Sequence, residues 1–192
     1  MSISKGSFLV VLSLITIISS ACTIERQVRA HDAIALDGKA VKDRTEDALA
    51  YSVGTTINAP SSTVWQILTN AQAYTSWNTT IVSLQGDIAK DKQIDLIAKI
   101  DPDRTFGLTV SEFKPHEHMV WEDGMILGLF SGVRTFTLRD RGDNTTDFTM
   151  EEVFSGGMLG MIEDSLPDFR ESFSAFAADL KKHAEEGRPP SH

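Results

Sequence analysis

The sequence predicts an α+β domain in which a curved antiparallel sheet of seven strands wraps one long C-terminal helix. Two features predict it. Residues 81–154 break into alternating segments joined by short turn signals, the mark of an antiparallel meander. Leu166, Phe169, Phe173, Phe176, Ala177 and Leu180 recur at three- and four-residue steps, so a helix over residues 163–186 has an aromatic face to bury. The concave side of the sheet is the only apolar surface large enough to take that face, and the helix is expected to lie across it.

The elements follow in chain order. Residues 1–21 begin Met-Ser-Ile-Ser-Lys, continue in an apolar run over 8–18 and end in Ser19-Ser20-Ala21 before Cys22, the layout of a cleaved export signal. The run is too short to span a bilayer comfortably. Residues 22–50 are polar, charged and poor in aromatics, and read as a linker or stalk with at most a marginal helix over 32–49. Val53, Thr55 and Ile57 alternate within 51–58, giving a first strand. Ala59-Pro60-Ser61-Ser62 ends it and opens a helix, with proline suited to the first turn and serine oxygens able to accept free amides. Val64, Ile67 and Leu68 fall at helical spacing there, and a second short turn over 71–76 leads to Trp77-Asn78. Strands are expected over 81–86, 93–100, 105–113, 118–123, 132–139 and 146–154. Turns between them are expected at Asp101-Pro102-Asp103, Lys114-Pro115 and Arg141-Gly142-Asp143-Asn144. The folded domain is thus placed at 51–187, with 188–192 a tail.

Composition narrows the function classes. The chain has 192 residues, 41% hydrophobic and 23% charged, enough apolar material for one ordinary core. A net charge of -9 repels phosphate-rich partners, which argues against nucleic acid. Cys22 is the only cysteine, so an intrachain disulfide and a thiolate metal cluster are both excluded. His116 and His118 share a side on extended chain, but third and fourth ligands are not evident, and no metal is expected. Neither a Gly-x-Ser-x-Gly elbow nor a glycine-rich phosphate loop occurs, and no cofactor is expected.

Two resemblances add to this reading. Small residues before Cys22 resemble the bacterial lipobox, with Ser19 standing where an aliphatic residue is usual; this implies acylation of Cys22 and an exported, membrane-anchored lipoprotein. Thr23 rather than Asp after the cysteine resembles the outer-membrane sorting pattern of Gram-negative hosts, with the domain on the periplasmic side. Further on, Thr56-Ile57-Asn58-Ala59-Pro60-Ser61-Ser62-Thr63-Val64-Trp65, then Leu68-Thr69, Tyr74 and Trp77-Asn78, resembles the opening of the SRPBCC superfamily. Thr145-Thr146-Asp147-Phe148 with Glu152 and Gly156-Gly157 resembles its closing strand. That superfamily includes START lipid-transfer domains, the birch-pollen allergen group and polyketide cyclases. The resemblance implies the helix-grip fold and a cavity for a hydrophobic molecule between sheet and helix, while leaving the chemistry open.

Strand parity supplies candidates for that cavity. Arg134, Phe136 and Leu138 share one face, and Phe148, Met150, Glu152 and Phe154 meet them across the hairpin, with Arg134 and Glu152 expected diagonally adjacent. A charge pair facing an apolar cavity would orient the polar end of a ligand; a solvent-facing rim salt bridge is the bland reading of the same residues. Trp77, Phe106, Leu108, Val110, Trp121, Phe169 and Phe173 are further candidates for the lining, and plain core residues otherwise. The apolar, glycine-rich stretch 124–130, together with Gly157-Met158-Leu159-Gly160-Met161-Ile162, is a candidate hydrophobic mouth or a pair of ordinary buried loops. The function expected is a lipid-anchored extracytoplasmic binding protein for a hydrophobic small molecule such as a lipid or polyketide-like compound. The alternatives are a cyclase or dehydrase using Glu152 as acid or base, and an interaction module of an envelope complex whose cavity is filled by its own side chains.

Overall fold

The computed structural model describes residues 34–124 and 129–187. The export signal, Cys22, the tail at 188–192 and residues 125–128 of the candidate mouth lie outside the described residues. No helix among the described residues is long and apolar enough to cross a membrane.

Eight antiparallel strands form one sheet: β1 (Val41–Arg44), β2 (Ala48–Ile57), β3 (Ile81–Gly86), β4 (Gln93–Ala98), β5 (Asp101–Lys114), β6 (His118–Gly124), β7 (Ser131–Asp140) and β8 (Thr146–Ser155). Their order is β1-β2-β8-β7-β6-β5-β4-β3, so the six-strand meander expected from the sequence closes against the first long strand through β8. Register shifts at Ile81/Ser83, Leu96/Ala98 and Val110/Glu112 interrupt the ladders in β3, β4 and β5. Bulges of this kind bend strands and add twist, which gives the sheet its concave side.

Helix α1 (Ser61–Thr69), a 3-10 turn at Ala71–Ala73 and the single turn α2 (Tyr74–Trp77) connect β2 to β3. Pro60 caps α1 without any side-chain hydrogen bond, contrary to the expectation that serine oxygens would do so. Ser61 instead donates to Asp140 Oδ2 at 3.3 Å, tying the helix start to the end of β7. Tyr74 is fully buried and donates its hydroxyl to the Leu68 carbonyl at 2.8 Å. Burial pushes its phenol well above the ordinary range, with Arg134's charge pulling the other way, so Tyr74 stays a donor.

After β8 come α3 (Leu159–Ile162), a 3-10 turn at Glu163–Ser165 and the long helix α4 (Arg170–Glu186). The sequence predicts one helix from 163. Instead Leu166 takes an extended conformation (φ -75°, ψ 135°), as a residue before proline prefers, and Pro167 removes an amide donor. Leu166 and Phe169 therefore precede the helix whose face they were expected to extend. Asp168, held down to about 2 by hydrogen bonds from Arg170, accepts the Arg170 amide at 3.0 Å where α4 begins. Phe173, Phe176, Ala177, Leu180 and Ala184 form the buried stripe of α4. Phe176 meets Tyr74, Trp77, Phe136 and Phe148 with ring centroids 5.7–6.4 Å apart. Burial of one such ring contributes about 1.5–3 kcal/mol, and this cluster fastens α4 to the sheet.

The N-terminal boundary needs correction. Part of the stretch read as a stalk at 22–50 is strand: β1 and the first residues of β2 lie in it, and no helix forms over its described residues. The sheet has eight strands rather than seven for the same reason. All four residues of β1 are exposed, so no buried alternation marks it in the sequence. Backbone pairing with β2 holds it, as does Ala40, whose amide donates to Ser174 Oγ on α4 at 2.9 Å. One turn is also shifted: Ala98 pairs with Asp101, so the β4–β5 hairpin turns at Lys99 and Ile100, and Asp101-Pro102-Asp103 opens β5. The turn around Gly142 forms as expected, with Gly142 (φ 79°) and Asn144 (φ 61°) in the left-handed region.

Candidate ligand-binding cleft

The concave face divides in two along the strands. At one end Phe176 of α4 packs on Phe136 and Phe148, among the buried Val110, Leu138 and Met150. At the other, the helix has stopped, and residues 162–169 roof the sheet more loosely. A cavity of about 370 Å³ lies beneath that roof. The break at Leu166-Pro167 is thus what leaves space, because an uninterrupted helix would press side chains onto this end as it does onto the other.

Four strands build the wall. β5 supplies Arg104, Phe106 and Leu108; β6 supplies Trp121 and Asp123; β7 supplies Gly132 and Arg134; β8 supplies Glu152 and Phe154. Each set follows a spacing of two, as one face of a strand requires. Leu96, Ala98 and Ile100 extend the floor, Asp101 adds a carboxylate at its edge, and Phe130, Ile162, Leu166, Pro167 and Phe169 close over it. Phe169 sits 5.3 Å from Tyr51 and 5.6 Å from Phe154, ring centre to ring centre, which anchors the roof. Arg44, from the supposed stalk, donates to Glu163 Oε2 at 2.8 Å and so holds the 3-10 turn that precedes Leu166.

Arg134 and Glu152 face each other directly across the β7–β8 ladder rather than diagonally, since the pairing register sets residue 134 against 152. Arg134 Nε donates to Glu152 Oε2 at 2.9 Å and Nη2 donates to the same oxygen. Their side chains keep only 15% and 14% of their surface exposed, so the pair is not a solvent-facing rim bridge. The Arg134 guanidinium also lies over the Phe173 ring at 5.2 Å. The pair is therefore fixed from two sides, with the cleft open beside it.

Of the residues singled out from the sequence, Phe106, Leu108, Trp121, Arg134, Glu152, Phe154 and Phe169 stand in the wall or roof. Met150 and Phe173 border a small adjoining cavity of about 20 Å³ instead. Trp77, Val110, Phe136, Leu138 and Phe148 are core, as the bland reading of large apolar side chains has it. The four strand residues lie at the packed end of the same faces, while Trp77 belongs to α2 and packs on Phe176 of α4. Spacing alone missed Arg104, Asp123 and Gly132, although each continues a marked set two residues toward the open end. Asp101, expected in a turn, and Asp123, at the end of β6, belong to the cleft.

The described parts of the candidate mouth meet there. The Met158 amide donates to the Leu129 carbonyl at 2.9 Å, and Gly124, Phe130 and Ile162 border the cavity. Leu129 and Met161 are exposed large apolar side chains at this end. His116 and His118 are not brought together: His118 Nε2 is 2.9 Å from Glu112 Oε2, while His116 lies edge-on to Trp65. No group of metal-ligating side chains occurs among the described residues.

Comparison with known proteins agrees with this architecture. The profile of the family described as polyketide cyclase / dehydrase and lipid transport matches residues 49–185. No curated protein matches the chain. Among solved structures, a START superfamily protein from Mycobacterium smegmatis is 16% identical, with a TM-score of 0.53 over 71% of this chain and 97% of that one. The Zhui aromatase/cyclase from Streptomyces sp. R1128 is 11% identical, with a TM-score of 0.57 over 72% and 94%. A norcoclaurine synthase point mutant from Thalictrum flavum is 12% identical, with a TM-score of 0.55 over 77% and 96%. Identities this low speak to the helix-grip fold alone.

Proposed function

We propose that this chain, which belongs to the polyketide cyclase / dehydrase and lipid transport family, is a carrier that holds one hydrophobic small molecule in the cleft under residues 162–169. The observation that carries the reading is the cleft itself. It is lined mainly by Leu96, Phe106, Leu108, Trp121, Phe154 and Phe169, and the Arg134–Glu152 ion pair, its side chains 15% and 14% exposed, stands on its wall. Apolar area removed from water at about 25 cal/mol per Å² gives a ligand affinity without any catalytic group, and a fixed charge pair gives it an orientation. An interaction module with a cavity filled by its own side chains would not need this space. Native mass spectrometry of the purified protein, followed by organic extraction, tests the proposal. One discrete extra mass that extracts as a lipid or polyketide-like compound is expected; a bare chain that takes up nothing from a lipid mixture would remove the carrier reading.

We further propose that the domain works on the extracytoplasmic side, tethered through an acylated Cys22. The apolar run over 8–18 followed by Ser19-Ser20-Ala21-Cys22 supports this. Stable anchoring needs more than one acyl chain, each contributing about 0.8 kcal/mol per buried methylene. In the full chain, Cys22→Ser should shift the protein from the membrane fraction to the soluble one. Continued sedimentation with membranes would refute the tether.

A further inference from the structure

We infer that the polar end of the ligand is an uncharged hydrogen-bond donor, an alcohol or a phenol, delivered to Oε1 of Glu152; the inference rests on the cleft being the ligand site. Both hydrogen bonds from Arg134 end on the other oxygen, Oε2. Among the described residues, none donates to Oε1 in any hydrogen bond the structure shows. A carboxylate oxygen accepts and does not donate, so what Oε1 lacks is a donor.

The surroundings of Oε1 are open for one. A Cβ at Gly132 would stand 3.9 Å from Oε1 and 3.4 Å from the nearest carbon of the Phe154 ring. Gly132, Glu152 and Phe154 all border the cleft, so the missing side chain leaves free the space beside this oxygen. Gly132 pairs with Asp123 on one side and Phe154 on the other, in regular strand, so its backbone is not what demands glycine. The demand is room.

Charge selects among donors. Arg134 and Glu152 cancel each other, and the remaining charges of the lining are Asp101 and Asp123 against Arg104. Arg104 lies over the Phe106 ring at 4.5 Å, drawn along the apolar wall. The cleft thus carries a formal excess of negative charge, which opposes a carboxylate or phosphate head. An ether or ketone fits the space but offers Oε1 nothing. The same excess would draw an ammonium into the cleft, but the carboxylate it would meet is already paired with Arg134, so the point of contact offers it no net charge. Size narrows the class again. At about 30 Å³ per water-sized group, a cavity of about 370 Å³ takes roughly a dozen non-hydrogen atoms, the size of a bicyclic phenol or a medium-chain alcohol.

Four probes with one apolar body separate the possibilities: 2-naphthol, 2-methoxynaphthalene, 2-naphthoate and 2-naphthylmethylammonium, titrated at pH 7 against the purified protein. The naphthol should bind about tenfold or more tighter than its methyl ether, the ratio expected for a hydrogen bond to a charged acceptor. It should also exceed both ions. Gly132→Ala, which leaves the ion pair in place, should bring the naphthol-to-ether ratio toward one, and Glu152→Gln should lower it. Equal binding of naphthol and ether, or tighter binding of naphthoate or the ammonium, overturns the donor head while leaving the carrier reading intact. Failure of all four probes to bind overturns both. A ratio unchanged in Gly132→Ala and in Glu152→Gln moves the donor's partner away from Oε1 and overturns the assignment.

Discussion

Phe176→Ala should lower the stability of the domain by about 3–5 kcal/mol, the range for deleting a buried phenylalanine from a packed core. Phe176 is 2% exposed and stands between Tyr74 and Trp77 on one side and Phe136 and Phe148 on the other. Those rings belong to α2, β7 and β8, so the cavity left behind would loosen the fastening of α4 at the packed end of the sheet. For a domain of this size each kcal/mol moves the melting temperature by about 2–4 °C, and a fall of roughly 10 °C is expected by calorimetry. A loss under about 1 kcal/mol would mean that α4 is held by something other than this cluster.

Arg134→Met should cost about 3 kcal/mol, toward the lower end of the range for stripping a partner from a buried ion pair, because the cleft lets water reach Glu152. The cause is the charge left behind rather than the bond removed. The double variant Arg134→Met, Glu152→Leu should therefore recover most of the loss, to within about 1 kcal/mol of the parent, while losing any preference for a polar ligand end. Denaturant melts arranged as a double-mutant cycle check this. A double variant as unstable as the single one would show that Arg134 matters for packing on Phe173 and not for charge.

Much of the fold was legible because the determining signals are local. The α4 stripe of Phe173, Phe176 and Leu180 follows helical spacing, and the alternation of β7 and β8 places Phe136, Met150 and Glu152 on one face. What escaped were features with no local pattern. β1 is exposed throughout and charged at Lys42, Asp43 and Arg44, and it pairs through its backbone with a strand only a few residues further along the chain. Its Arg44 nevertheless helps position the roof of the cleft through Glu163. Pro167 was in plain view, yet the aromatic periodicity running through it masked the break. Parity also identified the correct face for the cleft without saying which half α4 would fill. Phe136 and Arg134 differ by two residues on one strand, and one is core while the other borders open space. That difference is set by where a helix from a distant part of the chain begins.

The central claim is that the space over β5 to β8 is kept for a ligand. Leu108→Trp tests it most directly, since Leu108 is a half-buried wall residue and an indole there would occupy the cleft. The parent and the variant should be purified side by side, confirmed to share the same fold by circular dichroism, and weighed intact under native conditions. The parent is expected to carry one extra mass and the variant to have lost most of it. Equal occupancy in both, or none in either after exposure to a lipid mixture, would contradict the account.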